Sequence, residues 1–402
     1  MSDPAALLRN PATIRERCRN ILAAADEGRS KHFSIHRSQL DEVARRVELV
    51  TRRQYPELVI PYHSRWRHFE AGGVDRKAEL DALLAPLDTA AQARARIDLT
   101  LVSVLLDAGA GPRWSYVERE SGQTFSRSEG LGVATFRAFL QGSFSSDPNE
   151  PLRVDAKALQ AMTAASLAQV FQVSEANPLT GLAGRAQLMQ RLGDTLAAQP
   201  ETFGTDGRPG ALFDALRAER LPATDLLHFL LEHFNPIWLT DSALRGTPLG
   251  DCWPHPHAGG SGITAGWVPF HKLSQWLTYS LLEPFEWAGV TLTDLDGLTG
   301  LPEYRNGGLL LDARVLVPLD ATFAVRDHTA AEEAIVEWRA LTVALIDELA
   351  PLVRERLHKK PDEMPLACIL EGGTWAAGRE IAKTLREGGS PPLRIESDGT
   401  VF

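Results

Sequence analysis

The chain has 402 residues, 44% of them hydrophobic, and a formal net charge of -10. A chain this long buries roughly three quarters of its unfolded surface, and its acidic balance excludes the nonspecific nucleic-acid binding that Lys and Arg support by neutralising phosphates. The three cysteines, Cys18, Cys252 and Cys368, are too few and too widely spaced for a disulfide framework or a zinc pattern. The N-terminus is charged, and no apolar run nears the ~20 residues that span a bilayer. The expectation is a reduced, soluble, cytoplasmic protein with neither nucleic-acid nor membrane partners.

In chain order, apolar residues at helical spacing (Leu7, Ile14, Cys18, Ile21, Leu22) predict a helix over 4–26. Leu40, Val43, Val47 and Val50 predict an amphipathic helix over 37–54. "YPELVIPYHSRWRHFEAGGVDR" has no helical period. Helix returns over 77–108, and "GAGPRWSYVERESGQTFSRSEGLG" reads as a loop or short hairpin. Helices then follow over 131–141, 155–172, 184–197 and 209–233. The segment 235–267 is dense in Gly, Pro and Trp, and its aromatics argue for order rather than disorder. Helix resumes over 270–289, 330–358 and 372–387, and "RIESDGTVF" suggests a terminal strand. The fold expected is mostly α with a few short strands. A helical extension over 1–95 carries a His/Arg-rich loop, and a core over 96–402 joins it in one compact unit.

Several stretches carry chemistry. "IPYHSRWRHF" gathers His63, Arg65, Arg67 and His68, a set suited to phosphate or carboxylate because guanidinium binds such anions bidentately; the plain alternative is surface side chains paired with nearby acids. In "FHKLSQW", His271 and Gln275 share one helix face, as do Lys272 and Trp276. His271 or Lys272 suits a proton donor, and a tucked histidine on an amphipathic helix is the plain alternative. "DLDGLTGLPEYRNGG" supplies Asp294, Asp296, Glu303, Tyr304 and Arg305, with the backbone bent at Pro302 and loosened at Gly307 and Gly308. Glu303 is either a salt-bridged turn residue or a carboxylate held for catalysis. "RSEGLGVATF" lacks the strand and the GKS ending of a nucleotide-triphosphate loop, which leaves Ser128 and Glu129 as polar pocket groups. His255 and His257 have no further ligands at metal spacing, so neither a metal nor another cofactor is expected.

The stretches "IPYHSRWRHFEAGGVDR", "SRSEGLGVATFRAFLQGSFSS", "FQVSEANPLTGLAGRAQL" and "VPFHKLSQWLTYSLLEP" together resemble the fungal and bacterial uracil catabolism protein four family, over nearly the whole chain. The resemblance implies a role in a pyrimidine-degrading route in which a ribosylurea-type intermediate is broken down. A second stretch, over roughly 110–390, is similar to the queuosine-monophosphate glycosylase family. That family's helix-start lysine and glutamine match Lys272 and Gln275, and its turn acid matches Asp294 or Asp296. Its aspartate-tyrosine-arginine triplet matches Glu303, Tyr304 and Arg305. Asp251 matches a further acid, and Glu371, in "ILEGGTWAAGREIAKTL", falls on the family's closing helix. This resemblance implies the helical fold of DNA base-excision glycosylases and cleavage of an N-glycosidic bond by a carboxylate. Two departures stand out: Glu303 replaces an aspartate, and His271 replaces a phenol.

These readings converge on an N-ribosyl hydrolase that cleaves a ribosylurea, with or without a 5′-phosphate. Glu303 would stabilise charge at ribose C1, and Asp251, His271 or Lys272 would protonate the leaving nitrogen. Trp114, Tyr116 and Trp276 would wall the pocket. The rivals are a non-catalytic protein that binds a ribosyl or nucleotide intermediate, and a urea-group amidohydrolase, which would need a metal cage or an activated Ser or Cys.

Overall fold

In the computed structural model, which describes residues 5–396, helices dominate and each strand has two or three residues. The chain is mostly α, as the hydrophobic periodicity requires. The described residues form two units, each assembled from separated stretches: 5–63, 241–275 and 294–396 in the first, 64–240 and 276–293 in the second. The chain changes unit between His63 and Ser64, whereas the boundary expected near residue 95 falls inside the helix Thr89–Leu105.

In the first unit, the helices Pro11–Asp26 and Leu40–Gln54 pack against the long helix Glu333–Leu357. Asn10 opens the first of these, accepting from the Ala12 N–H at 3.0 Å, and Pro11 follows at the position where its missing N–H is harmless. Val43, Val47 and Val50 are buried, as their spacing predicts. The helix Tyr304–Asp312 lies along the helix Trp375–Leu385. Their approach depends on Gly378, where a Cβ would collide with the Arg305 carbonyl. Phe33–Ile35 pairs antiparallel with Leu316–Pro318, and Cys252–Pro254 with Trp267–Pro269.

In the second unit, Thr89–Leu105 is buried along its C-terminal half and packs on Arg127–Leu140. Trp66 is sandwiched edge-on between Phe69 at 5.2 Å and Trp287 at 4.7 Å. A hairpin of Ser115–Val117 and Thr124–Ser126 leads into Arg127–Leu140, and Arg220–Pro222 pairs parallel with Thr291–Thr293. The helix Lys272–Trp287 contributes its residues up to Gln275 to the first unit and those from Trp276 to the second.

Several boundaries differ from the periodicity. The helix expected over 77–108 is two, Arg76–Leu84 and Thr89–Leu105, because Asp88 caps a new start by accepting from the Ala91 N–H at 2.8 Å. The run 209–233 is broken by the strand Arg220–Pro222. The stretch after Pro302 is helical from Tyr304 despite Asn-Gly-Gly. Of the expected terminal strand, Arg394–Ile395 pairs parallel with Asp327–His328; residues 397–402 lie outside the described residues, as does residue 4 of the first expected helix.

Candidate active site

In the first unit, the chain enters the helix Trp375–Leu385 through Leu370–Thr374, a single π-helical turn, a feature that marks functional sites more often than plain helix. The turn fits because Gly372 and Gly373 lie against Ile60, Thr51 and Val47, and the Thr51 hydroxyl donates to the Gly372 carbonyl at 3.0 Å. Glu371 sits on this turn, half-buried. Its Oε2 lies 2.8 Å from His63 Nδ1, and the Tyr55 hydroxyl donates to its Oε1 at 3.3 Å. One helical turn on, the half-buried Trp375 ring has the guanidiniums of Arg305 at 5.8 Å and Arg379 at 5.4 Å, with the His63 ring at 6.2 Å.

Arg305 belongs to the stretch singled out by sequence. Glu303 is the N-cap of Tyr304–Asp312; its two carboxylate oxygens accept from the Arg305 and Asn306 N–H groups, each at 2.7 Å. The carboxylate is fixed where the helix dipole favours negative charge, and the residue remains half-buried. The Tyr304 hydroxyl donates to the Ile395 carbonyl at 3.2 Å, and burial pushes its pKa up to about 12. The loop leading to Glu303 is latched to Gln275, whose amide donates to Thr299 Oγ1 at 2.5 Å and accepts from the Thr299 N–H at 3.2 Å. Asp296 caps elsewhere, accepting from Arg354 at 2.5 Å and from the Leu366 N–H at 2.7 Å.

Asp251 forms a buried node with Arg339 through two bonds of 2.7 Å. It also accepts from the Lys272 N–H at 3.0 Å and from Trp253 Nε1 at 2.8 Å. Burial pushes its carboxyl upward, but the Arg339 charge and hydrogen bonds overcome this and hold it at about 2. Such a group is a fixed anion with its lone pairs occupied, so the proton-donor role expected of Asp251 has no physical support here; it anchors the start of the Lys272 helix. His271, with φ +46, turns its Nε2 to the Leu8 carbonyl at 2.9 Å, 3.5 Å from Cys252 Sγ, and burial lowers its pKa. It is a buried histidine whose Nε2 is committed to the Leu8 carbonyl. Lys272 is half-buried.

The second unit holds the remaining candidates, and the two arginines of the expected phosphate cluster are each paired with an acid. His63 belongs to the first unit, with Glu371. Arg65 is buried and committed to Asp107 at 2.9 Å, to Ser103, and to the Ser128 carbonyl at 3.2 Å. Arg67 pairs with Glu283 at 2.8 Å. The His68 ring meets Trp276 edge-on at 5.8 Å, and Arg65 lies 5.4 Å over the same indole. Ser128 donates to Asp107, and Glu129 is half-buried on the first turn of the Arg127 helix. Trp114 is buried, its Nε1 donating to the Phe171 carbonyl at 2.9 Å, whereas Tyr116 lines a cleft in the second unit. Among the described residues no group of three His, Cys, Asp or Glu can hold a metal ion.

Thus the fold brings Glu371, His63, Trp375 and Arg305 together, with Glu303 two residues from Arg305. Sequence reasoning missed Tyr55, Trp375 and Arg379. A signal for the latter pair was present: "EGGTWAAGR" places Trp375 and Arg379 four apart, on one face, one residue beyond a glycine doublet.

A family model described as "Protein of unknown function (DUF1688)" matches residues 7–402. The chain is 37% identical to "Uracil catabolism protein 4" of Lachancea kluyveri, with 100% of both chains covered. It is 41% identical to "Protein urg3" of Schizosaccharomyces pombe, covering 97% of this chain and 96% of that one. The first resemblance read from the motifs therefore holds over the full length. No helix among the described residues is long and apolar enough to cross a membrane.

Proposed function

The chain belongs to the DUF1688 family, and from that premise we propose that it acts in uracil catabolism as an N-ribosyl hydrolase, cleaving a ribosylurea-type substrate to urea and ribose. The pathway comes from the name of the Lachancea relative. The observation that carries the reaction is the Glu371–His63 pair one turn before Trp375, with a second fixed, half-buried carboxylate, Glu303, at the start of the helix that carries Arg305.

In this reading, water attacks ribose C1 as the C1–N bond breaks and positive charge spreads over the sugar. Glu303 stabilises that charge and takes the proton lost by the water; its two backbone hydrogen bonds hold it in place without reorganisation. The departing urea nitrogen needs a proton, which His63 delivers while Glu371 steadies the imidazole. Solvent then carries the proton from Glu303 back to His63, so one water is consumed per bond cleaved. Trp375 offers a flat wall for the sugar. For a 5′-phosphate we assign Arg305 and Arg379 rather than Arg65 and Arg67, whose charges are met by Asp107 and Glu283.

The test is incubation of the purified chain with ribosylurea and with its 5′-phosphate, following urea by a coupled assay and the sugar by mass. Urea release that disappears in Glu303→Gln and Glu371→Gln is the expected result. Full turnover in both variants would refute the assignment. Ammonia without urea would indicate an amidohydrolase, and calorimetric binding without turnover a pathway binding protein.

A further inference from the structure

The Gly-rich stretch 235–267 reads from sequence as an ordered segment, and the hydrolysis reading does not use its middle. Within the first unit, the part spelling Gly-Gly-Ser-Gly-Ile, 259–263, is exposed throughout and lies over the helix Pro11–Asp26. Beneath it is Arg17. The guanidinium faces Gly260 so closely that any Cβ there would collide with it, and Gly260 takes φ +85, which side chains disfavour.

Arg17 is anomalous among the buried arginines. It is 1% exposed, yet its Nε and Nη1 have no hydrogen-bond acceptor. The acid nearest to it, Glu16, holds its Oε1 3.7 Å from Nε, beyond hydrogen-bond reach, on a side chain that faces solvent. Equally buried Arg65, Arg76 and Arg339 each pair with a carboxylate, and Arg185 donates to the carbonyls of Leu106 and Ala108. A buried charge without a partner is strongly disfavoured. Packing alone does not call for it, since methionine fills such a space without the charge.

The loop above is unsatisfied in the same sense. The N–H groups of Gly259, Gly260 and Ser261 donate to no group among the described residues. The loop is tied at its base instead. The Gly259 carbonyl accepts from the Gly266 N–H at 2.8 Å, and Asn20, one turn on from Arg17, donates to the Ala258 carbonyl at 2.9 Å. Lifting the tip therefore breaks no bond donated by these three amides. A buried guanidinium under successive free amides is a set of donors that lacks an acceptor. Backbone N–H groups in succession form concavities that take anions, and guanidinium matches oxyanions bidentately. A carboxylate has two oxygens for these donors, whereas a phosphate group presents at least three. Glycine at 259 and 260 leaves no side chain between the anion and the backbone.

We propose that the tip 259–262 opens over Arg17 to admit a phosphate group, as inorganic phosphate or a phosphate monoester. The guanidinium holds it from the helix, and the amides of Gly259, Gly260 and Ser261 hold it from the loop. This anion site is separate from Arg305 and Arg379, and none of the groups assigned to hydrolysis belongs to it.

The test is titration calorimetry of the full chain with inorganic phosphate and with glycerol 3-phosphate, against chloride at equal ionic strength, joined by hydrogen exchange. Phosphate is expected to bind at least about tenfold more weakly after Arg17→Met, the loss of charge-assisted hydrogen bonds. The amides of Gly259, Gly260 and Ser261 are expected to exchange fast without phosphate and to be protected by it. Without phosphate, Arg17→Met is expected to melt no lower than the wild type, because no orphan charge is left; an arginine kept for the fold would melt lower on replacement. If Arg17→Met melts far lower or does not fold, exchange in the wild type decides: protection of 259–261 supports the site, and its absence overturns it. No binding of either phosphate at millimolar concentration would overturn the proposal, as would binding unchanged in Arg17→Met. Binding lost in Arg305→Gln, with exchange at 259–261 unaltered by phosphate, would place the anion beside Trp375 and also overturn it. The tighter of the two ligands distinguishes free phosphate from a monoester. Failure of the hydrolase reading would appear separately, as an absence of urea while Arg17-dependent binding persists.

Discussion

The buried Asp251–Arg339 pair gives a prediction whose size follows from the structure. Asp251→Asn keeps the shape but removes the charge facing an Arg339 side chain that is wholly out of solvent. Breaking one partner of such a pair costs about 3–5 kcal/mol, because the survivor is left charged and buried. The pH linkage gives a floor. A carboxyl held at about 2 against an ordinary 3.8 is worth roughly 2 kcal/mol. Since the folded pKa is the lower one, that stability is present above pH ~4 and lost as pH falls through about 2. The assay is urea denaturation at pH 7 and at pH 3. It is joined by hydrogen exchange at the Lys272 amide, which donates to Asp251 and reports this node alone. The double variant Asp251→Leu/Arg339→Met should be less destabilised than either Asp251→Asn or Arg339→Met alone, since two apolar groups leave no orphan charge and methionine can pack on Phe270, over which Arg339 now lies at 4.2 Å. Additive losses, with Lys272 exchange unchanged, would refute the reasoning.

Gly378→Ala normally gains about 1 kcal/mol in helix propensity; here the new Cβ meets the Arg305 carbonyl, a backbone atom that cannot swing away, so a net loss of ~1–3 kcal/mol is expected by thermal melting. Tyr304, pushed up to about 12, should ionise late in an alkaline titration at 295 nm, and Tyr304→Phe should shrink that late component. Because the unfolded chain loses this proton near pH 10 and the folded one later, stability falls as pH rises between them. His63→Gln should lower kcat on ribosylurea by about 10²–10⁴, read from the initial rate of urea release. Glu303→Ser should keep the helix cap, with a change of stability within ~1 kcal/mol by denaturation, yet abolish urea release.

What was legible in the sequence was set by local rules. The face of the helix Leu40–Gln54 could be read because burial follows one stripe. The helix Tyr304–Asp312 could not, because Asn306, Gly307 and Gly308 are poor helix formers in isolation. It forms because Trp338 packs against Gly307 where any Cβ would collide, a demand that arises about 31 residues later. The partners of the His63–His68 cluster were illegible for the complementary reason. Neighbours in sequence resemble a single site, but the chain leaves one unit at His63 and enters the other at Ser64. Arg65 then meets Asp107 and Arg67 meets Glu283, so that each guanidinium is neutralised by an acid no local window could show. The pairing that replaces the cluster, His63 with Glu371, joins residues 308 apart.

Glu303 joins the local and the distant arguments. As a cap it is an uncommon choice, since Ser, Thr, Asp and Asn do that work with shorter side chains. An aspartate at this position would still accept from the helix N–H groups. The additional methylene of glutamate is therefore not required for capping, and it sets where the carboxylate lies beside a helix start that is already fixed from two sides. Gly378 lets the Trp375 helix press on the Arg305 carbonyl, and Gln275 latches Thr299 upstream. A residue whose backbone is held this firmly, and whose side chain is one carbon longer than its local task demands, fits selection for the position of the carboxylate rather than for the cap. That is the property the hydrolase reading needs of it.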